Sequence, residues 1–297
     1  MLRKKHKNLF ISAISALKDS VSSGRVTSSS SGPRLLFLCG ANKADGQLSE
    51  RRARVKEFVE THFPEVRVII AEDVYAELIK QGKAQNLYAL ETQISLASDY
   101  IFIILEGFGS FCELGAFSHS DFREKVKVVN DSRFADAKSF INVGCIDAIK
   151  SAKRENSIFL YPMDDDGVEV QDRIADIFPE LNASLSDFKT KRTNLSSEQL
   201  APLGELKKQK ILFLHDLLYL LGPVSNASLV EVLKHLFGNQ DYRLHKDILA
   251  ILIGAKLVDV ENGLYSCSSA SVFFKYDVDP DDLAISFRLH SYKERRT

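Results

Sequence analysis

The sequence predicts an α/β protein in which a doubly wound parallel sheet is followed by a helical connector and a smaller, mainly helical domain. Three observations predict it. Residues 100–105 (YIFIIL) are an unbroken apolar run rich in Ile and aromatics, the mark of a strand buried on both faces. Similar short runs alternate with helical segments between residues 34 and 161, the pattern of parallel β-α-β units. Beyond residue 205 the pattern changes to three helical segments and a hairpin.

Each element follows in chain order. Phe10, Ile14, Leu17 and Val21 recur at helical spacing, and Ser12, Ser15, Lys18 and Asp19 interrupt the apolar run. The N-terminus therefore reads as an amphipathic helix rather than a signal peptide. Residues 22–33 (SSGRVTSSSSGP) read as a flexible linker, so residues 1–33 are expected to be a helix plus linker. The α/β domain is expected over residues 34–162. Its strands are residues 34–39 (RLLFLC), 66–71, 100–105, 125–129 and 157–161. Between them, Ser49 caps a helix to about residue 62, residues 86–97 are helical, Ser110 opens a helix to about residue 118, and residues 145–154 are helical. Residues 162–167 (PMDDDG) read as a solvated loop, within a helical connector over residues 163–204. In residues 205–297, helices over 211–221, 228–237 and 242–253 are stopped by Gly222-Pro223, Gly238 and Gly254. Asn262-Gly263 then turns a hairpin between residues 256–260 and 264–268. Three helices and a hairpin in this order make a winged-helix-like domain.

Composition excludes several classes. The chain has 297 residues, 45% hydrophobic and 27% charged, the balance of an ordinary globular protein. It is neither disordered nor a disulfide-dense mini-protein. Lys plus Arg number 39 against 40 Asp plus Glu, so any nucleic-acid contact must come from a local patch. Arg243, Lys246 and Lys256 are the candidates, although residues 205–297 hold 12 bases and 12 acids and suit protein docking equally well. Cys39, Cys112, Cys145 and Cys267 form no C-x-x-C pair and read as small buried side chains of a reducing cytosol. The histidines lack metal-binding spacing, so no metal is expected, and no apolar run is long enough to span a membrane.

The segment that carries chemistry is residues 106–118 (EGFGSFCELGAFS), directly after the most buried strand. Ligands of open α/β sheets bind at the carboxyl ends of the strands. Gly107 and Gly109 allow close backbone approach, and Ser110 at a helix N-terminus suits a phosphate. Glu113 lies one turn in, as a candidate catalytic carboxylate. The plainer reading of Ser110 and Glu113 is a capping box, in which Glu113 bonds back to the Ser110 N–H. Asp73 and Glu106 both follow strands at this edge, where a leaving base needs a partner; each is equally a solvated loop acid.

The combination of LLFLCGA, SDYIFIIL and GFGSFCELGAF resembles the nucleoside 2-deoxyribosyltransferase-like superfamily, a Rossmann-like fold. With AEDVY and KSFINVG added, the set resembles the deoxyribosyltransferase-like effectors of type II retrons. The resemblance covers about residues 34–160, and the domain order beyond 205 agrees with it. It implies that Glu113 attacks or stabilises the sugar C1′, with Gly40, Asp73, Glu106, Gly107, Gly109 and Ser110 near the substrate. Lys138 and Asn142 of KSFINVG are further ligand contacts, completed across a homo-oligomer. The transferase pattern has Asp-Gly where this chain has Glu106-Gly107, and Thr where it has Ser110, which favours water as acceptor. The expectation is a cytoplasmic N-glycosidase toxin of anti-phage defence, with NAD⁺ or a related nucleotide as substrate and no cofactor. Its expected partners are a reverse transcriptase and the RNA–DNA hybrid that enzyme makes. The alternatives are a deoxyribosyltransferase, a nucleotide phosphoribohydrolase with a related G-x-G-[ST]-x-x-E motif, and a non-catalytic nucleotide-sensing DNA-binding regulator.

Overall fold

The computed structural model describes residues 2–28, 32–83, 86–152, 156–186 and 192–294. Arg154 and the terminal Arg295, Arg296 and Thr297 lie outside the described residues. The chain opens with α1 (Leu2–Ser22), which buries Ile14, Leu17 and Val21 as the periodicity predicts. The expected linker contains a strand, β1 (Val26–Ser28). Then follow β2 (Arg34–Cys39), α2 (Glu50–His62), β3 (Val66–Ile69), α3 (Ala71–Lys80), α4 (Leu87–Ala97), β4 (Tyr100–Ile104) and α5 (Phe108–Phe117). Next come β5 (Val126–Asp131), a π-helical turn (Ile141–Ile146) running into α6 (Asp147–Ala152), and β6 (Ile158–Tyr161). A 3₁₀ turn (Ile174–Ile177) leads into α7 (Phe178–Ser186), then β7 (Asn194–Leu195), α8 (Ser197–Leu200), α9 (Lys208–Leu221) and β8 (Val224–Ser225). The chain ends with α10 (Asn226–Phe237), α11 (Leu244–Gly254), β9 (Val258–Glu261), β10 (Leu264–Cys267), β11 (Phe274–Lys275) and α12 (Pro280–Glu294).

These elements form two compact units. One comprises residues 33–71 and 87–189, the other residues 1–32, 72–86 and 190–297.

The first unit holds a five-stranded sheet in the order β3-β2-β4-β5-β6, parallel throughout. Alternate residues of a strand face opposite sides. On one side Leu36, Leu38, Phe102, Ile104 and Phe159 pack under Val55 and Val59 of α2 and under Ile174, Ile177, Leu181 and Leu185. The first half of the expected connector thus covers the sheet. On the other side Phe37 meets Phe117 of α5 edge-on, with centroids 6.0 Å apart. Ser49 caps α2 by accepting from the Arg52 N–H at 3.0 Å, as its position predicts.

The second unit holds two three-stranded antiparallel sheets. One is ordered β11-β1-β7 and the other β8-β10-β9. Asn262 and Gly263 both have positive φ, 50° and 74°, which fits the predicted two-residue hairpin turn between β9 and β10. The helices α9, α10 and α11 stand where the sequence puts them, each a few residues longer or shifted at its start. Helix α12 continues through Lys293 to Glu294. None of the helices among the described residues is long and apolar enough to cross a membrane.

Candidate functional site at the carboxyl edge of the parallel sheet

Helix α5 starts directly beyond β4, at the strand's carboxyl end. Its N-cap is Gly107, and Ser110 sits one turn inside. The Ser110 hydroxyl donates to the Gly107 carbonyl at 2.7 Å and accepts from the N–H groups of Glu106 and Gly107 at 3.1 and 3.2 Å. Ser110 is buried with its hydroxyl engaged in the turn, and the helix starts before the predicted Ser110 cap, at Phe108 with Gly107 as N-cap. Glu113 is half-buried, with one carboxylate oxygen in the interior. It lies on the side of α5 that Ser110, Leu114 and Phe117 turn inward.

The opposite side of α5 borders a cavity of about 550 Å³ at the carboxyl ends of β4, β5 and β6. Leu105, Glu106, Gly107, Phe108 and Phe111 form one wall. Asn130, Asp131, Arg133 and Phe134, at and beyond the end of β5, form a second, and Met163, Asp164 and Asp165 a third. Asn142 closes the cavity and braces its loop, donating from Nδ2 to the carbonyls of Phe134 and Ala137 at 2.7 and 2.8 Å.

The charges here are paired. Glu106 has a fully buried side chain; its Oε1 accepts from the Ala41 N–H at 3.0 Å and the Ser49 hydroxyl at 2.6 Å, and its Oε2 faces Arg51 at 3.5 Å. Burial raises its pKa, and those hydrogen bonds offset only part of the rise. Arg51 also binds Asp172 through Nε at 2.7 Å, and Asp172 accepts from the Tyr161 hydroxyl at 2.9 Å. Arg133 binds Asp131 through Nε at 2.8 Å and Asp165 at 2.9 Å. Burial pushes the Asp131 carboxyl up, but the hydrogen bonds from the Arg133 side chain and N–H outweigh it and hold the pKa below the usual value.

Of the predicted site residues, Glu106, Gly107 and Asn142 line this cavity. Glu106 does so with its carboxylate buried, bridging the turn after β2 and Arg51. Gly40 acts beside it: a Cβ there would come within 2.7 Å of Glu106 Oε1 and 2.9 Å of the Arg52 stem. Gly109 is exposed with open space around it. Lys138 is exposed and outside the cavity lining. Asp73 is exposed in the first turn of α3, a helix absent from the sequence reading, in the segment 72–86 that belongs to the second unit. Sequence reading missed Arg51, Asn130, Asp131, Arg133 and Asp165. The usable signal was the polar pair Asn130-Asp131 ending an apolar strand at the ligand-binding edge.

In the second unit, Arg243 and Lys246 line another cavity of about 550 Å³, together with Lys83 and Lys234. Lys256 lies beyond the far end of α11, roughly 18 Å along the helix axis from Arg243. Arg243 pairs with Asp241 at 2.6 Å, Lys234 with Glu231 at 2.9 Å, and Lys83 with Asp247.

Comparison with known proteins places the chain in a family. The family described as STM3845 retron effector protein matches residues 48–260. The chain is 34% identical over 273 residues to an Escherichia coli protein named "Retron Ec73 putative ribosyltransferase/DNA-binding protein", covering 88% of this chain and 86% of that one. It is 30% identical over 203 residues to the corresponding protein of retron Ec86, also from Escherichia coli and bearing the same description, covering 66% of this chain and 63% of that one. With the match spanning both the parallel sheet and the helices that follow it, the chain belongs to the STM3845 retron effector family.

Proposed function

We propose that this retron effector cleaves the N-glycosidic bond of NAD⁺ or a related nucleotide, with Glu113 as the catalytic carboxylate. The observation that carries the reading is the placement of Glu113 in the second turn of a helix that begins at the carboxyl end of the central strand β4. The names of the two relatives, which include ribosyltransferase, support a glycosyl-transfer chemistry. Breaking the bond between C1′ and the base nitrogen leaves positive charge on the sugar ring. A carboxylate at C1′ stabilises that charge, or attacks to give a glycosyl-enzyme that water then hydrolyses. In either route the electron pair of the C–N bond leaves with the base, and water supplies the hydroxyl on C1′. Transfer of the ribosyl group to an acceptor other than water is the second reading, and the relatives' names favour it.

The second unit we read as winged-helix-like, from the order α9, β8, α10, α11, β9, β10 and the antiparallel sheet β8-β10-β9. Its proposed role is to dock on the retron's reverse transcriptase and the RNA–DNA hybrid, which hold the toxin inactive. Lys83, Lys234, Arg243 and Lys246 supply the cations for that contact.

The test is mass spectrometry of small metabolites from cells expressing the wild-type chain or Glu113→Gln. Loss of NAD⁺ with release of nicotinamide and free ADP-ribose in the wild type alone is expected. ADP-ribose found attached to another molecule would select transfer over hydrolysis. Unchanged metabolites with the chain alone, and again with the retron components and phage present, would overturn the enzymatic reading.

A further inference from the structure

The second unit holds a cluster of reactive side chains that the chemistry proposed for Glu113 does not use. The sequence predicts four buried cysteines; Cys39 and Cys145 are buried, but Cys267 is half-buried and Cys112 is exposed. Cys267 ends β10, and its Sγ lies 2.9 Å from Nε2 of His215 in α9. His215 Nδ1 in turn faces Oδ1 of Asp216, the next residue of α9, at 3.0 Å. The side chains of His215 and Asp216 are fully buried. Thiol, imidazole and carboxylate therefore stand in hydrogen-bonding sequence. In that arrangement a base, oriented by a third group, takes the proton of a nucleophile.

The surrounding hydrogen bonds fix the part each ring nitrogen plays. Asp216 Oδ1 accepts from the Phe273 N–H at 2.7 Å, and Oδ2 accepts from the Phe274 N–H and the Tyr276 hydroxyl, both at 2.9 Å. With Asp216 an acceptor at both oxygens, His215 Nδ1 carries the hydrogen and donates it to Oδ1. Nε2 is left as the basic nitrogen, facing Cys267 Sγ. The Phe273 ring stacks on the imidazole with centroids 3.9 Å apart and holds it in that orientation. Ser269 completes the cluster: its Oγ lies 3.0 Å from His215 Nε2, and its N–H donates to Cys267 Sγ at 3.4 Å. A thiolate formed here meets two donors, the protonated Nε2 and the Ser269 N–H, and donors to the charged form favour it. A structural cysteine is sealed in apolar surroundings and inert, whereas this one is half-buried beside a base.

We propose that Cys267 is a nucleophilic thiol that reacts with a small hydroperoxide, with His215 taking its proton and Asp216 holding the ring. The thiol proton passes to His215 Nε2, and the sulfur attacks the hydroxyl oxygen of the hydroperoxide. The O–O bond breaks, and the departing oxygen takes the proton back from Nε2. It leaves as water from hydrogen peroxide, or as an alcohol from an alkyl hydroperoxide. The sulfur keeps the transferred hydroxyl as a sulfenic acid, so the thiol is oxidised by two electrons and the peroxide is reduced by two. The Ser269 hydroxyl, beside Nε2, donates to the departing oxygen. Glu113 and the sheet edge take no part in this step.

The test is treatment of the full chain with hydrogen peroxide at pH 7 in the presence of dimedone, which traps sulfenic acids. Peptide mass spectrometry then reads Cys267 against Cys112 in the same sample. Cys267 should be labelled at least tenfold faster than Cys112, although Cys112 is the more exposed. The preference should vanish in concentrated guanidinium, where only the local sequence remains. His215→Gln, whose amide cannot take a proton, should slow the labelling of Cys267 at least tenfold and leave Cys112 unchanged. Ser269→Ala, at a half-buried position, should slow it several-fold. Labelling of Cys267 no faster than Cys112 in the wild type would overturn the proposal, as would a preference that survives guanidinium. That comparison needs no substitution, so it stands whether or not His215→Gln folds. Wild-type labelling of Cys267 in a folded His215→Gln, or in Ser269→Ala where His215→Gln does not fold, would overturn it as well.

Discussion

At Glu106 the carboxylate accepts hydrogen bonds from the Ala41 N–H and the Ser49 hydroxyl, and burial raises its pKa. A raised folded pKa means that the protonated form is the one favoured by folding, so this group's contribution falls as pH rises through that value. Glu106→Gln keeps an acceptor oxygen and removes the charge. It should melt at or above the wild type at pH 8 and lose that advantage near pH 4, where the unfolded carboxyl also takes its proton. Glu106→Ala leaves both donors without an acceptor and should cost about 2–3 kcal/mol in denaturant unfolding. His215 provides a second test. Burial alone lowers its pKa, but the Asp216 carboxylate, 3.0 Å from Nδ1, and Cys267 raise it above the usual value. Its contribution to stability is therefore complete below about pH 6.5 and lost as pH rises through the folded value. Asp216→Asn should flatten the decline in melting temperature between pH 6 and pH 9; an unchanged slope would show that His215 stays neutral.

Among the elements, α3 and α11 meet inside the second unit. A Cβ on Gly254, at the end of α11, would lie 2.9 Å from Val74 Cγ2 and 3.3 Å from the Val74 N atom of α3. Gly254→Ala should therefore destabilise the protein by about 1–3 kcal/mol, because a backbone atom cannot step aside as a side chain can. Val74→Ala in the same chain should recover only the part due to Cγ2, a coupling that a double-mutant cycle measures. The hydrophobic spacing of Val74 and Leu78, both fully buried, was visible in AEDVYAELIK, but the expected strand ran through residue 71 and obscured the helix start. The five parallel strands and the helices after them were legible because buried strands and amphipathic helices each have a fixed apolar period. The strand β1 was not: VTS sits in a Ser-rich stretch, and only its partners β7 and β11 supply a reason to extend.

At the scale of the whole molecule, the second unit is assembled from three stretches of chain, residues 1–32, 72–86 and 190–297. β1 is the middle strand of the sheet β11-β1-β7, and Phe10 of α1 meets Phe287 of α12 with ring centroids 5.6 Å apart. Removing residues 1–32 should thus speed amide exchange across residues 194–275 and in α12, while the protection of β2, β4 and β5 persists; full protection in the truncated chain would show that α1 and β1 are dispensable. Local periodicity and turn chemistry are enough to specify the parallel sheet, its carboxyl edge, the helix bearing Glu113 and the order of helices and hairpin that follows. It takes the three-dimensional arrangement to show that Ser110 and Glu106 spend their polar atoms on the protein itself, that Asp73 belongs to the first turn of a helix, and that Asn130, Asp131, Arg133 and Asp165 share a cavity. Those outcomes depend on which residues far apart in the chain reach one another's hydrogen-bonding distance, and no local pattern encodes that.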